Sequence, residues 1–160
     1  MLRFANNDIV FQEFPDEVTL AVNLTGCPCR CPGCHSEYLW AATGEALTDS
    51  RLLELADYYG RTITCVGLMG GDAEPHEVLR LLAMLRRERP HLRTGWYSGR
   101  QDLPEGFADF PAPDYVKLGP WRAELGPLSA PTTNQRMYRY CADGTHEDIT
   151  ARFQVKGLKL

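Results

Sequence analysis

The sequence predicts an α/β fold with a mostly parallel sheet that closes only part of a barrel. Three observations carry this. β-Prone runs alternate with helical patterns, the order that builds βαβ units. A loop crowded with cysteines follows the first clear strand directly. At 160 residues the chain is also short of the about 250 that a closed eight-unit barrel takes. Active groups are then expected at the C-terminal ends of the strands, with one flank of the site uncovered.

Glu17 to Thr25 alternates Val18, Leu20, Val22 and Leu24 with smaller or polar residues and reads as a strand running into Gly26 and the cysteines. Leu47 to Gly60 offers Thr48 or Asp49 as N-cap, helical spacing of apolar residues and Gly60 as stop. Thr62 to Gly71 is a nearly continuous β-prone run, as in a strand covered on both faces. Pro75 suits the first turn of a second helix, which stops before Pro90 and buries Val78, Leu81, Leu82 and Leu85. Leu92 to Gly99 and Asp114 to Gly119 read as two further strands separated by a Pro-rich loop. Beyond Gly119 the periodicity fades until Ile149 to Leu160 suggests a last strand. Neither an internal repeat nor a linker interrupts residues 1–160, so one domain is expected.

The composition, 44% hydrophobic and 24% charged, is that of a soluble globular protein. A net charge of -4 provides no basic field for nucleic acid. The first dozen residues lack the basic segment and apolar run of a secretory signal, and no stretch approaches the roughly 20 apolar residues that span a bilayer. A reducing, cytoplasmic setting is the expectation, with no membrane or nucleic-acid partner. There, clustered cysteines point to metal binding or catalysis rather than disulfides.

Four of the six cysteines fall between Cys27 and Cys34: Cys27, Cys31 and Cys34 at C-x3-C-x2-C, with Cys29 inside the longer gap. A structural zinc site usually draws on two separated ligand pairs, whereas all candidates here share one loop. Cys27, Cys29, Cys31 and Cys34, or three of them with His35, remain a possible zinc set. The other chemistry is a [4Fe–4S] cluster, which normally takes four thiolates. If only three arrive, one iron keeps an open position for a small molecule.

The C-x3-C-x2-C loop after the first strand of a partial barrel resembles the radical S-adenosylmethionine (SAM) enzymes, in which the unique iron chelates the amino and carboxylate groups of SAM. Gly70, Gly71 and Asp72, at the end of the next strand, resemble the Gly-Gly-acid motif that contacts the methionine end of SAM in that family. Glycines there permit close backbone approach, and a carboxylate or carbonyl can accept from the ammonium. The segment Cys31 to Trp40, the strand Asp114 to Gly119 and the later Asn134-Gln135 pair are similar to the activating enzymes of anaerobic ribonucleotide reductases. The similarity covers nearly the whole chain and is looser between Gln101 and Ala112.

The resemblance implies a single radical SAM domain over residues 1–160. It implies one [4Fe–4S] cluster on Cys27, Cys31 and Cys34, with SAM as second cofactor and Cys29 as bystander. It sets Gly33, Cys34, His35, Gly70, Gly71 and Asp72 against SAM. Ser98, Tyr97 and Lys117, at strand ends, are candidates to hold the ribose hydroxyls or the SAM carboxylate. The implied activity makes a 5′-deoxyadenosyl radical and, with it, a glycyl radical on the large subunit of the anaerobic reductase. The implied partners are that subunit and an electron donor such as flavodoxin or ferredoxin, with homodimer assembly left open. Asn134 and Gln135 could close over the site or meet the reductase, and no general acid or base is expected. Cys65 and Cys141 read as inert thiols.

The basic run of Arg80, Arg86, Arg87, Arg89 and Arg93 reads as a solvated helix face, or as a docking patch for an acidic surface. Two other functions compete: a small radical SAM enzyme acting on a small molecule, of the deazaguanine-synthase kind, and a non-enzymatic binding module stabilised by zinc or a cluster.

Overall fold

The structure is a computed structural model that describes residues 1–154. Its strands are β1 (Arg3–Val10), β2 (Thr19–Leu24), β3 (Glu45–Ala46), β4 (Cys65–Met69), β5 (Arg93–Tyr97), β6 (Tyr115–Leu118), β7 (Arg136–Tyr140) and β8 (His146–Asp148). The helices are α1 (Asp49–Tyr59) and α2 (Pro75–Glu88).

The strands form one sheet in the order β3-β1-β2-β4-β5-β6-β7-β8. Only the centre, β2-β4-β5-β6, is parallel. The flanks β3-β1-β2 and β6-β7-β8 pair antiparallel. The sheet is therefore mixed, not mostly parallel. For β1–β2 and β7–β8 the reason is local: short connections permit antiparallel pairing but no crossover.

Thr48 caps α1 by accepting from Arg51 N, Gly60 ends it at positive φ, and Pro75 occupies the first turn of α2. Val78, Leu79, Leu81, Leu82 and Leu85 of α2, with Leu52, Leu55 and Ala56 of α1, pack on one face of the sheet. That face presents Leu20, Val22, Leu24, Val66, Leu68, Trp96, Val116 and Leu118.

The other face carries the alternate residues. Parallel register aligns Ala21, Gly67 and Gly95 in one row, with Asn23, Met69 and Tyr97 in the next row toward the C-terminal ends. Tyr115 and Lys117 of β6 extend the two rows. Phe14, fully buried, lies over the lower row. A Cβ on Gly95 would come within 2.3 Å of its ring and one on Gly67 within 2.7 Å. Glycine in these strands is thus a steric requirement. Phe14 stacks on Tyr115 (centroids 5.2 Å apart) and meets Tyr97 edge-on (5.3 Å), forming a second core with Cys65, Leu128, Met137 and Ile149.

Three sequence expectations are corrected. β1 precedes the strand read as first; its centre, Asn6-Asn7-Asp8, has poor β-propensity, and pairing with β2 outweighs it. β7 and β8 occupy the region where periodicity faded. Of the last expected strand, Thr150–Phe153 is a short 3-10 turn, set by Asp148 accepting from Thr150 N and Thr150 accepting from Met137 N. Residues 155–160 of that expectation lie outside the described residues.

Candidate functional site

β2 ends at Leu24, and Gly26 at positive φ turns the chain into the cysteine loop. The loop is tied back by Cys27 N donating to Leu39 O (3.1 Å) and Gly26 N to Ala41 O (3.3 Å). Cys34 N donates to Cys31 O, and Cys34 Sγ accepts from Ser36 N (3.4 Å). All four loop cysteines are half-buried free thiols lining one cavity of about 450 Å3. Gly70, Asp72, Tyr97, Ser98, Lys117 and Gln135 line the same cavity, with Asp8, Glu13 and Asn23 from β1, β2 and the turn between them. Residues of five strands, β1, β2, β4, β5 and β6, thus line it.

Cys29 Sγ lies 3.8 Å from Asp72 Oδ2, and a Cβ on Gly99 would sit 2.9 Å from that sulfur. Hydrogen bonding from Cys29 pulls the Cys27 thiol down to about 6, against the effect of burial. The same bond, then burial and the Asp72 charge, push the Cys29 thiol up. The two thiols titrate as a linked pair, and a thiolate is the form that binds metal.

Asp72 is buried, and its carboxylate accepts from Ser98 Oγ and from Gly99 N (2.8 Å). Lys117 Nζ donates to Gly119 O (2.7 Å) and Ser98 O (3.3 Å) and lies 5.5 Å from the Tyr97 ring centre. Burial lowers Lys117 to about 8, while Asp72 and the thiols Cys31, Cys29 and Cys34 act in the other direction. Tyr97 gives its hydroxyl to Glu13 O (2.7 Å), which closes the cavity floor rather than offering a ligand contact.

Not every expected residue faces the cavity. Gly33 and His35 are exposed, and the His35 ring lies over Trp121 (5.3 Å). Gly71 packs inward, where a Cβ would come within 2.4 Å of Val78. Asn134 clips the loops together, donating to Pro120 O and Gln101 Oε1 (3.1 Å each) and accepting from Gln101 Nε2 at its carbonyl. Gln135, beside it, lines the cavity. Cys65 is fully buried and Cys141 exposed, both away from the cavity.

The five arginines are all ion-paired: Arg80 with Asp49 and Glu77, Arg86 with Asp114, Arg87 with Glu88, Arg89 with Asp57, and Arg93 with Glu17. That is the solvated-face reading.

The sequence assigned no role to Phe14, Asp8, Asn23, Trp40 or Trp121, although Trp40 ends the segment Cys31 to Trp40. Glycines inside two strand patterns were the available sign that something like Phe14 presses on the sheet.

Among the described residues, no three His, Cys, Asp or Glu side chains converge on one metal-ion position. Soft thiols that line one cavity without meeting at a single ion position suit a cluster, whose thiolates bind different irons, better than a single tetrahedral ion. Among the described residues no helix is long and apolar enough to cross a membrane.

A family model described as "4Fe-4S single cluster domain" matches residues 17–101, a little over half of the chain. The match runs from β2 through the cysteine loop and Asp72 to just beyond Ser98. Comparisons with curated proteins and with solved structures found no match. The chain belongs to the 4Fe-4S single cluster domain family.

Proposed function

We propose that this protein is a radical SAM enzyme that generates a glycyl radical on the large subunit of an anaerobic ribonucleotide reductase. One observation carries the reading: Cys27, Cys31 and Cys34, at C-x3-C-x2-C, share a single cavity with Gly70, Asp72, Ser98 and Lys117 from the ends of β4, β5 and β6. The parallel centre of the sheet, β2-β4-β5-β6, is consistent with a partial barrel of the radical SAM type. Cys27, Cys31 and Cys34 would hold a [4Fe–4S] cluster with one iron left open to SAM. The chemistry it would supply there is one-electron reduction of the SAM sulfonium, breaking its C5′–S bond to give methionine and the 5′-deoxyadenosyl radical.

The chain's own residues bind, orient and exclude water. Lys117, lowered only to about 8, stays protonated at neutral pH and presents a cation to the SAM carboxylate. Asp72 is fixed by Ser98 and Gly99 yet keeps lone pairs free to accept from the SAM ammonium. Phe14, Tyr97 and the Tyr97–Glu13 hydrogen bond seal the floor against water. On the opposite side Tyr38, which lines the cavity, is 57% exposed, so the cavity reaches the surface. A glycine-bearing loop of the reductase would complete that side, with flavodoxin or ferredoxin as electron donor.

The test is anaerobic reconstitution followed by electron paramagnetic resonance with SAM, reductant and the reductase. A SAM-dependent glycyl radical on the reductase is the expected result. SAM cleavage with no such radical would refute the activation while sparing the radical SAM core.

A further inference from the structure

Among the described residues, two indole N–H groups are buried without a hydrogen-bond partner, those of Trp40 and Trp121. Both side chains line the cysteine cavity. The third tryptophan, Trp96, shows the usual condition: its Nε1 donates to Gly70 O at 2.7 Å. A buried donor left unpaired is costly, so a native orphan calls for an acceptor from outside the protein, a water or a bound group.

The positions of the two indoles say which acceptor. Trp40 follows the 3-10 turn Glu37–Leu39, and Leu39 O of that turn receives the Cys27 N–H (3.1 Å). The backbone beside Trp40 is therefore tied to the start of the cysteine loop. Trp121 borders its other end. A Cβ on Gly33, between Cys31 and Cys34, would lie 3.5 Å from Trp121 Nε1, and the His35 ring packs against the indole with centroids 5.3 Å apart. Arg30, within the loop, places its guanidinium 5.8 Å from the Trp40 ring centre. Two orphan donors thus flank one thiol-bearing loop, where the chemistry of the donor set places sulfur.

We propose that Trp40 and Trp121 donate their indole N–H groups to sulfur atoms of the cluster and its thiolates, and that these bonds raise the cluster's reduction potential. The electrostatics fix the sign. Reduction adds one electron from an external donor and moves no atom, so the reduced cluster carries one more negative charge. An N–H dipole aimed at sulfur favours that form, and each indole keeps its proton throughout. The inference rests on the cluster assignment and not on SAM cleavage.

The experiment is a redox titration with dithionite, followed by electron paramagnetic resonance, on reconstituted wild type, Trp40→Phe and Trp121→Phe. It is paired with pulsed measurements on reduced wild type carrying nitrogen-15 indole. Expected are wild-type iron content, a midpoint potential lowered in each variant, and a nitrogen-15 coupling to the cluster that weakens in each. Unchanged potentials at full iron content would overturn the proposal. So would shifted potentials without any nitrogen-15 coupling, which would mean altered water access instead of a bond. If a variant fails to load iron, the labelled wild type alone decides, because absence of coupling there refutes the bond. A protein that passes this test yet cleaves no SAM would defeat the functional proposal and leave the indole assignment standing.

Discussion

The Asp72 carboxylate accepts a hydrogen bond from Ser98 Oγ, and Ser98 Oγ in turn accepts from Arg100 N (3.1 Å), joining the segment after β4 to the one after β5. Both side chains are buried at the cavity wall. Asp72→Ala leaves the Ser98 hydroxyl and Gly99 N–H without their acceptor, and about 2–3 kcal/mol of stability should be lost. Ser98→Ala, which removes one bond, should cost about 1 kcal/mol. Denaturant unfolding of the iron-free chain measures both. The double variant should lose less than the sum, since the two share a bond; strict additivity would contradict the link.

Phe14 and Gly95 are matched in size. Gly95→Ala places a methyl group within 2.3 Å of the Phe14 ring, and overpacking of about 1–3 kcal/mol is expected. Combining it with Phe14→Leu should recover part of the loss in thermal unfolding. No recovery would mean that the strand, not the ring, resists the methyl group.

Lys117 sets a pH dependence whose sign follows from its burial. With its value lowered to about 8 in the folded chain from an ordinary 10.5, the unfolded chain holds a proton between these values that the folded chain has lost. Its contribution to stability therefore rises with pH from about 8 to 10.5, by about 3 kcal/mol at most. Lys117→Met also removes two hydrogen bonds to carbonyls, a loss independent of pH, so the slope is the readout. In the iron-free chain, the advantage of wild type over the variant should grow across that window. A constant difference would show that Lys117 is not desolvated.

Cys31→Ala should abolish iron loading, whereas Cys29→Ala, whose sulfur lies against Asp72 and Gly99, should keep both cluster and activity. Iron content and the visible absorption of the reconstituted proteins measure this. Equal loss from the two substitutions would make Cys29 a fourth ligand.

The sequence by itself determined the elements whose cause is local. Thr48, Gly60 and Pro75 mark helix ends because caps and ring constraints act within a few residues, and the middle of the run Thr62 to Gly71 became β4 (Cys65–Met69). The C-x3-C-x2-C spacing likewise pointed to iron–sulfur chemistry, which the family match supports. The hairpin flanks were less legible. β1 is held by its pairing with β2 and β7 by pairing with β6 and β8, partners that a run such as Asn6-Asn7-Asp8 does not announce. Tertiary structure alone decided which candidates share the cavity: Cys29, Asp72, Ser98 and Lys117 do, while His35 and Gly71 do not. It also brought in Phe14, Trp40 and Trp121. The physical reason is that a side chain's surroundings depend on strand register and on loops closing from distant positions, as when Phe14 reaches Gly67 and Gly95.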